Sequence, residues 1–111
     1  MGKQALNFFY IIRGIKNMIN ALSRDLNEKT KAIRSRGYIP AVLYGNKLDN
    51  SIPVEIHKTE FQRYIDANGG DKIVEVKLNG EIRNCKITDV QIDGIKEGFL
   101  HIDFLIVDKI K

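Results

Sequence analysis

The chain has 111 residues, which is the size of one domain with one hydrophobic core. Its one cysteine, Cys85, excludes an internal disulfide, and with only His57 and His101 as histidines we expect no zinc site. Residues 1–47 carry nine Lys and Arg against two acidic residues, whereas residues 48–111 carry nine against twelve. A basic first half is typical of a protein with a surface that binds a polyanion. The same composition also fits charges that are unevenly distributed and simply solvated.

The N-terminal apolar segment, residues 5–12, is far too short to span a bilayer. It also lacks a small-residue cleavage site before the basic Arg13 and Lys16, as a signal peptide would require. We therefore expect no membrane association.

A strand is predicted over residues 19–25, where apolar and polar residues alternate weakly. Asn27 is a suitable N-cap for a helix over residues 28–36. Gly37 then suits the C′ position that ends the helix.

This first helix is poor in apolar residues. Only Ala32 and Ile33 are available for burial, while Thr30, Lys31 and Arg34 share one face. A helix that contributes so little to the core usually has a function on its outer face, or it simply connects two strands.

The middle of the chain predicts two strands and a second helix. Residues 38–44 are almost continuously apolar, and residues 52–56 alternate with apolar positions on one face. Residues 58–68 have the apolar spacing i, i+3, i+4 of an amphipathic helix, which the following Gly69-Gly70 ends.

The last third of the chain predicts a hairpin and a final strand. Residues 72–78 alternate cleanly, and Asn79-Gly80 is a strong hairpin signal that leads into a return strand over about 81–91. The final strand, residues 99–107, places His101 and Asp103 on the face opposite its core residues.

The resulting count is six strands and two short helices, so the fold class is mainly β. The helices are too few and too scattered for βαβ repeats. Many short strands with glycine turns in one small domain favour a closed or nearly closed barrel.

No set of catalytic residues is recognisable. The chain has no P-loop, no GxGxxG and no GxSxG motif, and we expect that it is not an enzyme. His101 and Asp103 could form an acid–base pair, but a hydrogen-bonded pair that fixes the ring is at least as common in proteins.

Nucleic-acid binding suits the polar residues better than catalysis does. Arg and Lys attract phosphates, whereas Asp suits the amino and imino donors of bases. A surface that combines Arg24, Arg34, His101 and Asp103 with the strand-end Tyr44 indicates readout of exposed base edges. The wide minor groove of A-form RNA or a distorted internal loop permits such readout.

Several motifs resemble the bacterial large-subunit ribosomal protein L25 family, which also includes general stress protein Ctc. They occur in the family order between residues 19 and 107. The motifs are Asn20-Ala21 with Arg24, Lys31-Ala32-Ile33-Arg34, Gly37-Tyr38-Ile39-Pro40-Ala41-Val42-Leu43-Tyr44-Gly45, Thr88-Asp89-Val90-Gln91 and His101-Ile102-Asp103-Phe104.

The resemblance implies a six-stranded barrel that binds the internal loop E of 5S ribosomal RNA. It implies a cytoplasmic constituent of the large ribosomal subunit, monomeric when free, with no cofactor of its own beside magnesium ions bound to the RNA. The implied RNA-binding residues are Arg24, Thr30, Lys31, Arg34, Tyr44, Gln91, His101 and Asp103, with Asp89 beside them.

The chain departs from the family pattern in three places. Many members have Gly-Lys-Gly before the first helix, where this chain has residues 26–29 with the acidic Glu28. The chain resembles the single-domain type rather than the longer Ctc type. Residues 1–17 have no counterpart, and we expect Met18 to be the native start and residues 18–111 to be the RNA-binding domain.

One alternative function remains open at this point. The same barrel could be a stress-related or tRNA-binding module that acts outside the ribosome, and binding to isolated 5S RNA separates the two.

Overall fold

The computed structural model describes residues 18–45, 50–68, 73–95 and 98–107. The predicted N-terminal extension, residues 1–17, and most of the turn predicted at residues 45–50 lie outside the described residues.

The described residues contain six strands and two helices, as the sequence predicts. They are β1 (Met18–Ser23), α1 (Thr30–Ser35), β2 (Tyr38–Tyr44), β3 (Ile52–His57), α2 (Lys58–Asn68), β4 (Ile73–Leu78), β5 (Glu81–Asp93) and β6 (Gly98–Ile106).

The six strands form a closed barrel in the order β1-β3-β2-β6-β5-β4. Two of the pairings are parallel: β1 closes the barrel against β4, with Ile19 opposite Val76, and β2 lies beside β6, with Ala41 opposite Ile102. The remaining pairings are antiparallel. The predicted closed barrel is confirmed, and closure leaves no unpaired sheet edge.

The barrel core consists of every second residue of the strands. Alternation at period two sends one set of side chains inward, where apolar groups leave water, and the other set outward. Helix α2 adds two aromatic residues to this core, Phe61 and Tyr64, and Phe61 meets Phe99 of β6 edge-on at 5.0 Å between ring centroids. The buried strand residues are Ile19, Ala21, Ile39, Ala41, Leu43, Val54, Ile56, Val74, Val76, Cys85, Ile102 and Phe104.

Helix α1 is shorter than predicted and begins differently. It starts at Thr30, and the N-cap residue Lys29 makes no side-chain capping bond. The predicted cap, Asn27, is wrong because the N-cap position falls on Lys29. Asn27 belongs to a separate turn over residues 25–28, in which its backbone N–H donates to Asp25 Oδ1 at 2.9 Å.

The end of α1 follows the prediction. Gly37 has φ +88°, the left-handed conformation that glycine adopts without a steric penalty. The helix packs on the outside of β2 and buries Ile33, one of its two apolar residues, whereas Ala32 is exposed. Neighbouring helical residues are 100° apart, and in this helix Ile33 is the one that faces the strand.

The predicted hairpin between β4 and β5 is also present. Asn79 has φ +54° and Gly80 has φ +82°. Two successive positive φ values define the type I′ turn, whose twist matches that of the flanking strands.

Candidate nucleic-acid interface

The outer surface of three neighbouring strands, β2, β6 and β5, brings together most of the residues predicted to bind RNA. Asp103 of β6 lies opposite Val42 on one side and Asp89 on the other, and Gln91 lies opposite His101. Because the intervening residues of these strands point into the core, these side chains point outward. We call this surface the strand face and define it as Tyr44, Thr88, Asp89, Gln91, His101 and Asp103.

His101 and Asp103 contact each other directly on the strand face. His101 Nδ1 lies 3.1 Å from Asp103 Oδ1, and the two side chains are 26% and 35% exposed. Residues i and i+2 of a strand share a face, as the sequence predicts. The contact turns the imidazole so that Nε2 points away from the carboxylate.

A β-bulge in β5 shapes the middle of the strand face. Ile87 lies opposite Phe104 and Asp89 lies opposite Asp103, so Thr88 is an extra residue in β5. The bulge changes which residues face outward: Ile87 and Val90 contact the core, while Asp89 and Gln91 are exposed.

The bulged Thr88 connects Tyr44 to β6. Thr88 Oγ1 donates a hydrogen bond to the backbone carbonyl of Asp103 at 3.3 Å and lies 2.8 Å from the Tyr44 hydroxyl. A threonine hydroxyl has one hydrogen, so Tyr44 must be the donor in the second bond. The phenol oxygen of Tyr44 is thereby fixed in place and keeps its acceptor capacity.

A second bulge, in β6, contains the backbone carbonyl that Arg34 contacts at the edge of the strand face. Gln91 lies opposite His101 and Ile92 opposite Phe99, so Leu100 is the extra residue of β6. Arg34 Nη1 approaches the Leu100 carbonyl oxygen at 3.5 Å, across 66 residues of sequence. This contact places the guanidinium of α1 beside the residue that precedes His101.

The other two predicted residues of α1 lie near Arg34. Lys31 is exposed and lines the same surface groove as Arg34, and Thr30 is the half-exposed first residue of the helix. The structure therefore places α1 with its basic side next to the strand face.

Arg24 lies on the far side of β2 from the strand face. Its backbone N–H donates to the Pro53 carbonyl of β3 at 3.3 Å, and Pro53 lies opposite Val42. The side chain is half-buried, and Nε is buried with no hydrogen-bond partner among the described residues. Arg24 is thus the predicted contact most distant from His101 and Asp103 in strand order.

Arg36 has a structural role that its sequence context did not predict. Its Nε and Nη2 bind the two carboxylate oxygens of Glu28 at 2.8 Å each, and Nη2 also lies 3.0 Å from Oε1 of Glu55. Its guanidinium carbon stacks 5.1 Å from the centroid of the Tyr38 ring. One side chain therefore joins the turn before α1 to the outer surface of β3.

This network determines the charge of the turn before α1. The hydrogen bond from Arg36, aided by the positive charges of Arg36 and Arg24, lowers the pKa of Glu28. The bonds to Glu28 and Glu55 raise the pKa of Arg36. Glu28, the acidic residue of this turn, is thus paired within the protein.

Glu55 gave no signal of this network in the sequence, because an alternating strand places it on the outward face between Val54 and Ile56. In the structure its side chain is only 7% exposed. A glutamate is rarely buried without a partner, and here the partner is Arg36.

The described ranges contain no group of three or more His, Cys, Asp or Glu side chains that could hold a metal ion. Within the same ranges, neither helix is long and apolar enough to cross a membrane.

Comparison with known proteins places this barrel in a family. Residues 19–104, which include β2 to β5, most of β1 and β6, and the strand face, match the Ribosomal L25p family. The chain belongs to this family. The family resemblance and the mainly β, six-stranded barrel predicted from the sequence are thereby confirmed.

Individual relatives carry the name large ribosomal subunit protein bL25. The protein from Thermoanaerobacter sp. (strain X514) is 32% identical over 87 residues, 78% of this chain and 43% of the relative. Those from Bacillus licheniformis and Lysinibacillus sphaericus are 33% and 38% identical over 70% and 68% of this chain, and 37% and 38% of their own lengths. The chain spans less than half the length of these relatives.

Proposed function

We propose that this chain is a structural constituent of the large ribosomal subunit and that it binds 5S ribosomal RNA at the internal loop E. The observation that carries the proposal is the convergence of Tyr44, Gln91, His101 and Asp103 on one outer face beside Arg34. Membership of the Ribosomal L25p family and the names of the relatives support the ribosomal role.

Helix α1 supplies the charge for the RNA backbone. Lys31 and Arg34 neutralise phosphates and release counterions, which provides affinity without reading the sequence. Thr30 can bind a phosphate or a ribose hydroxyl at the start of the helix. Arg24 extends the basic edge beyond β2.

The strand face supplies acceptors for base edges. Asp103 uses Oδ1 for His101, and its second oxygen can accept from a base amino or imino group. The Tyr44 oxygen donates to Thr88 and can accept from a base amino group or a ribose hydroxyl. Gln91 offers both a donor and an acceptor. A carboxylate among cations favours readout of bases over uniform phosphate binding.

We further propose that the protein acts on the ribosome in the cytoplasm, is monomeric when free and has no catalytic activity. Magnesium ions bound to the RNA would face the carboxylates of Asp89 and Asp103, and they would reduce the repulsion between these carboxylates and the phosphates.

Binding to isolated 5S RNA tests the proposal. The purified chain should bind 5S ribosomal RNA at moderate salt more tightly than it binds tRNA, and it should co-sediment with the large subunit. A folded protein that prefers tRNA, or that leaves the large subunit unoccupied, would instead be a barrel module acting outside the ribosome.

A further inference from the structure

A groove on the outer surface lies next to the strand face and is separate from it. It has a volume of about 340 Å³ and runs between α1, the first residue of α2 and the start of β6. Arg34 is common to the groove and the edge of the strand face, because its guanidinium reaches the Leu100 carbonyl immediately before His101. An RNA chain on the strand face can therefore continue into the groove.

The charged side chains of the groove suit an anion. Lys31, Arg34 and Lys58 line it, against one carboxylate, Asp93. Asp93 Oδ1 accepts the backbone N–H of Ile95 at 3.0 Å, so part of its charge is directed into the following turn. Three cations around one small groove attract a phosphate group.

Lys58 is positioned by the backbone. Its N–H donates to the Gly37 carbonyl at 2.9 Å, which holds the first residue of α2 against the C-terminal end of α1. Lys58 and Lys31 therefore approach the groove from two different helices. A phosphate between them would receive charge from both sides, which neither helix supplies alone.

Two aromatic residues, Tyr38 and Phe99, line the groove, and both are partly exposed. Phe99 lies edge-on against Phe61 at 5.0 Å. The Tyr38 ring contacts Arg36 and His57, each 5.1 Å from its centroid. A fixed aromatic surface beside cations is the arrangement that binds an unstacked nucleotide.

From these contacts we infer that the groove binds one nucleotide of the RNA held by the strand face. Its phosphate lies between Lys31 and Lys58, and its sugar or base lies against Tyr38 and Phe99. The inference rests on the proposed RNA-binding function, and it extends the contact surface from α1 and the strand face to Lys58 of α2.

The test compares Lys58→Gln with the control Lys77→Gln. Lys77 is also exposed, and it lies on β4, which the barrel order separates from β2 and β6. Affinity for 5S ribosomal RNA is measured between roughly 50 and 200 mM salt. Loss of one phosphate contact should reduce the slope of log affinity against log salt by about 0.7–0.9. It should also reduce the affinity about five- to eightfold near 0.1 M salt. Lys77→Gln should match the wild type.

A second measurement uses the unmodified protein. Acetic anhydride should label Lys58 severalfold less in the RNA complex than in the free protein, while Lys77 labels equally in both. If the wild type binds but Lys58→Gln keeps the wild-type slope, or Lys58 stays fully reactive in the complex, the groove inference is wrong and the RNA-binding function stands. If the wild type does not bind 5S RNA, the proposed function itself fails and the inference fails with it.

Discussion

The hydroxyl of Tyr44 lies 2.8 Å from Oγ1 of Thr88, and the two residues come from strands separated by β6. The contact exists because Thr88 is the extra residue of a β-bulge and also donates to the Asp103 carbonyl. The Thr88 hydroxyl thereby fixes the position of Tyr44 on β2 relative to Asp103 on β6.

Thr88→Val should remove both bonds while keeping the shape and strand preference of the side chain. We expect a loss of roughly 0.5–1.5 kcal/mol in the free energy of unfolding, measured by urea titration. Tyr44→Phe should lose a similar amount. The double variant should lose less than the sum, because both single changes break the same hydrogen bond. Strict additivity would mean that the Tyr44–Thr88 bond contributes nothing.

Arg34→Ala should weaken RNA binding because it removes a phosphate contact. The slope of log affinity against log salt should become shallower by about 0.7–0.9. Arg63→Ala, at an exposed position on α2, is the matched control and should leave the slope unchanged. An Arg34→Ala slope equal to the wild-type slope would exclude Arg34 as a phosphate contact.

Asp103→Ala should change the sequence specificity of RNA binding more than it changes the neutralisation of RNA phosphates. We expect binding to weaken by roughly 1–3 kcal/mol and the preference for the cognate internal loop over a mutated loop to decrease. The comparison is a competition assay with both RNAs, and Asp66→Ala on α2 is the control. Tighter binding of Asp103→Ala would identify the carboxylate as only a source of repulsion.

Stability should fall in acid through the Glu28–Arg36 contact. The folded-state pKa of Glu28 is lowered by Arg36, so its contribution is fully present above the ordinary glutamate value of 4.5. This contribution disappears as the pH falls through the lowered pKa. Urea titrations should therefore find wild type more stable than Glu28→Gln at pH 7, with the difference shrinking below about pH 4.5. A difference that stays constant down to pH 2 would contradict this account.

The elements with strong local signals were predictable from the sequence. The bounds of β2 and of α2 coincide with the predicted ranges, because a continuous apolar run and a helical apolar period have few alternative interpretations. The Asn79-Gly80 turn was predictable because few residue pairs accept two positive φ values. The shared face of His101 and Asp103 followed from strand alternation.

The details that depend on pairing between distant segments were not predictable. The bulges at Thr88 and Leu100 are properties of the register between β5 and β6, which neither strand encodes alone. The Arg36–Glu55 contact joins residues 19 apart through the packing of α1 on the barrel. The cap assigned to Asn27 failed because residues 25–28 form their own turn, so that the helix begins later and its N-cap is Lys29.

Chemical footprinting of 5S ribosomal RNA with the purified chain tests the central claim most directly. The account predicts protection of bases in loop E, with that protection weakened by Arg34→Ala and by Asp103→Ala. Folded wild-type protein that protects no segment of 5S RNA, or that protects a region other than loop E, would contradict it.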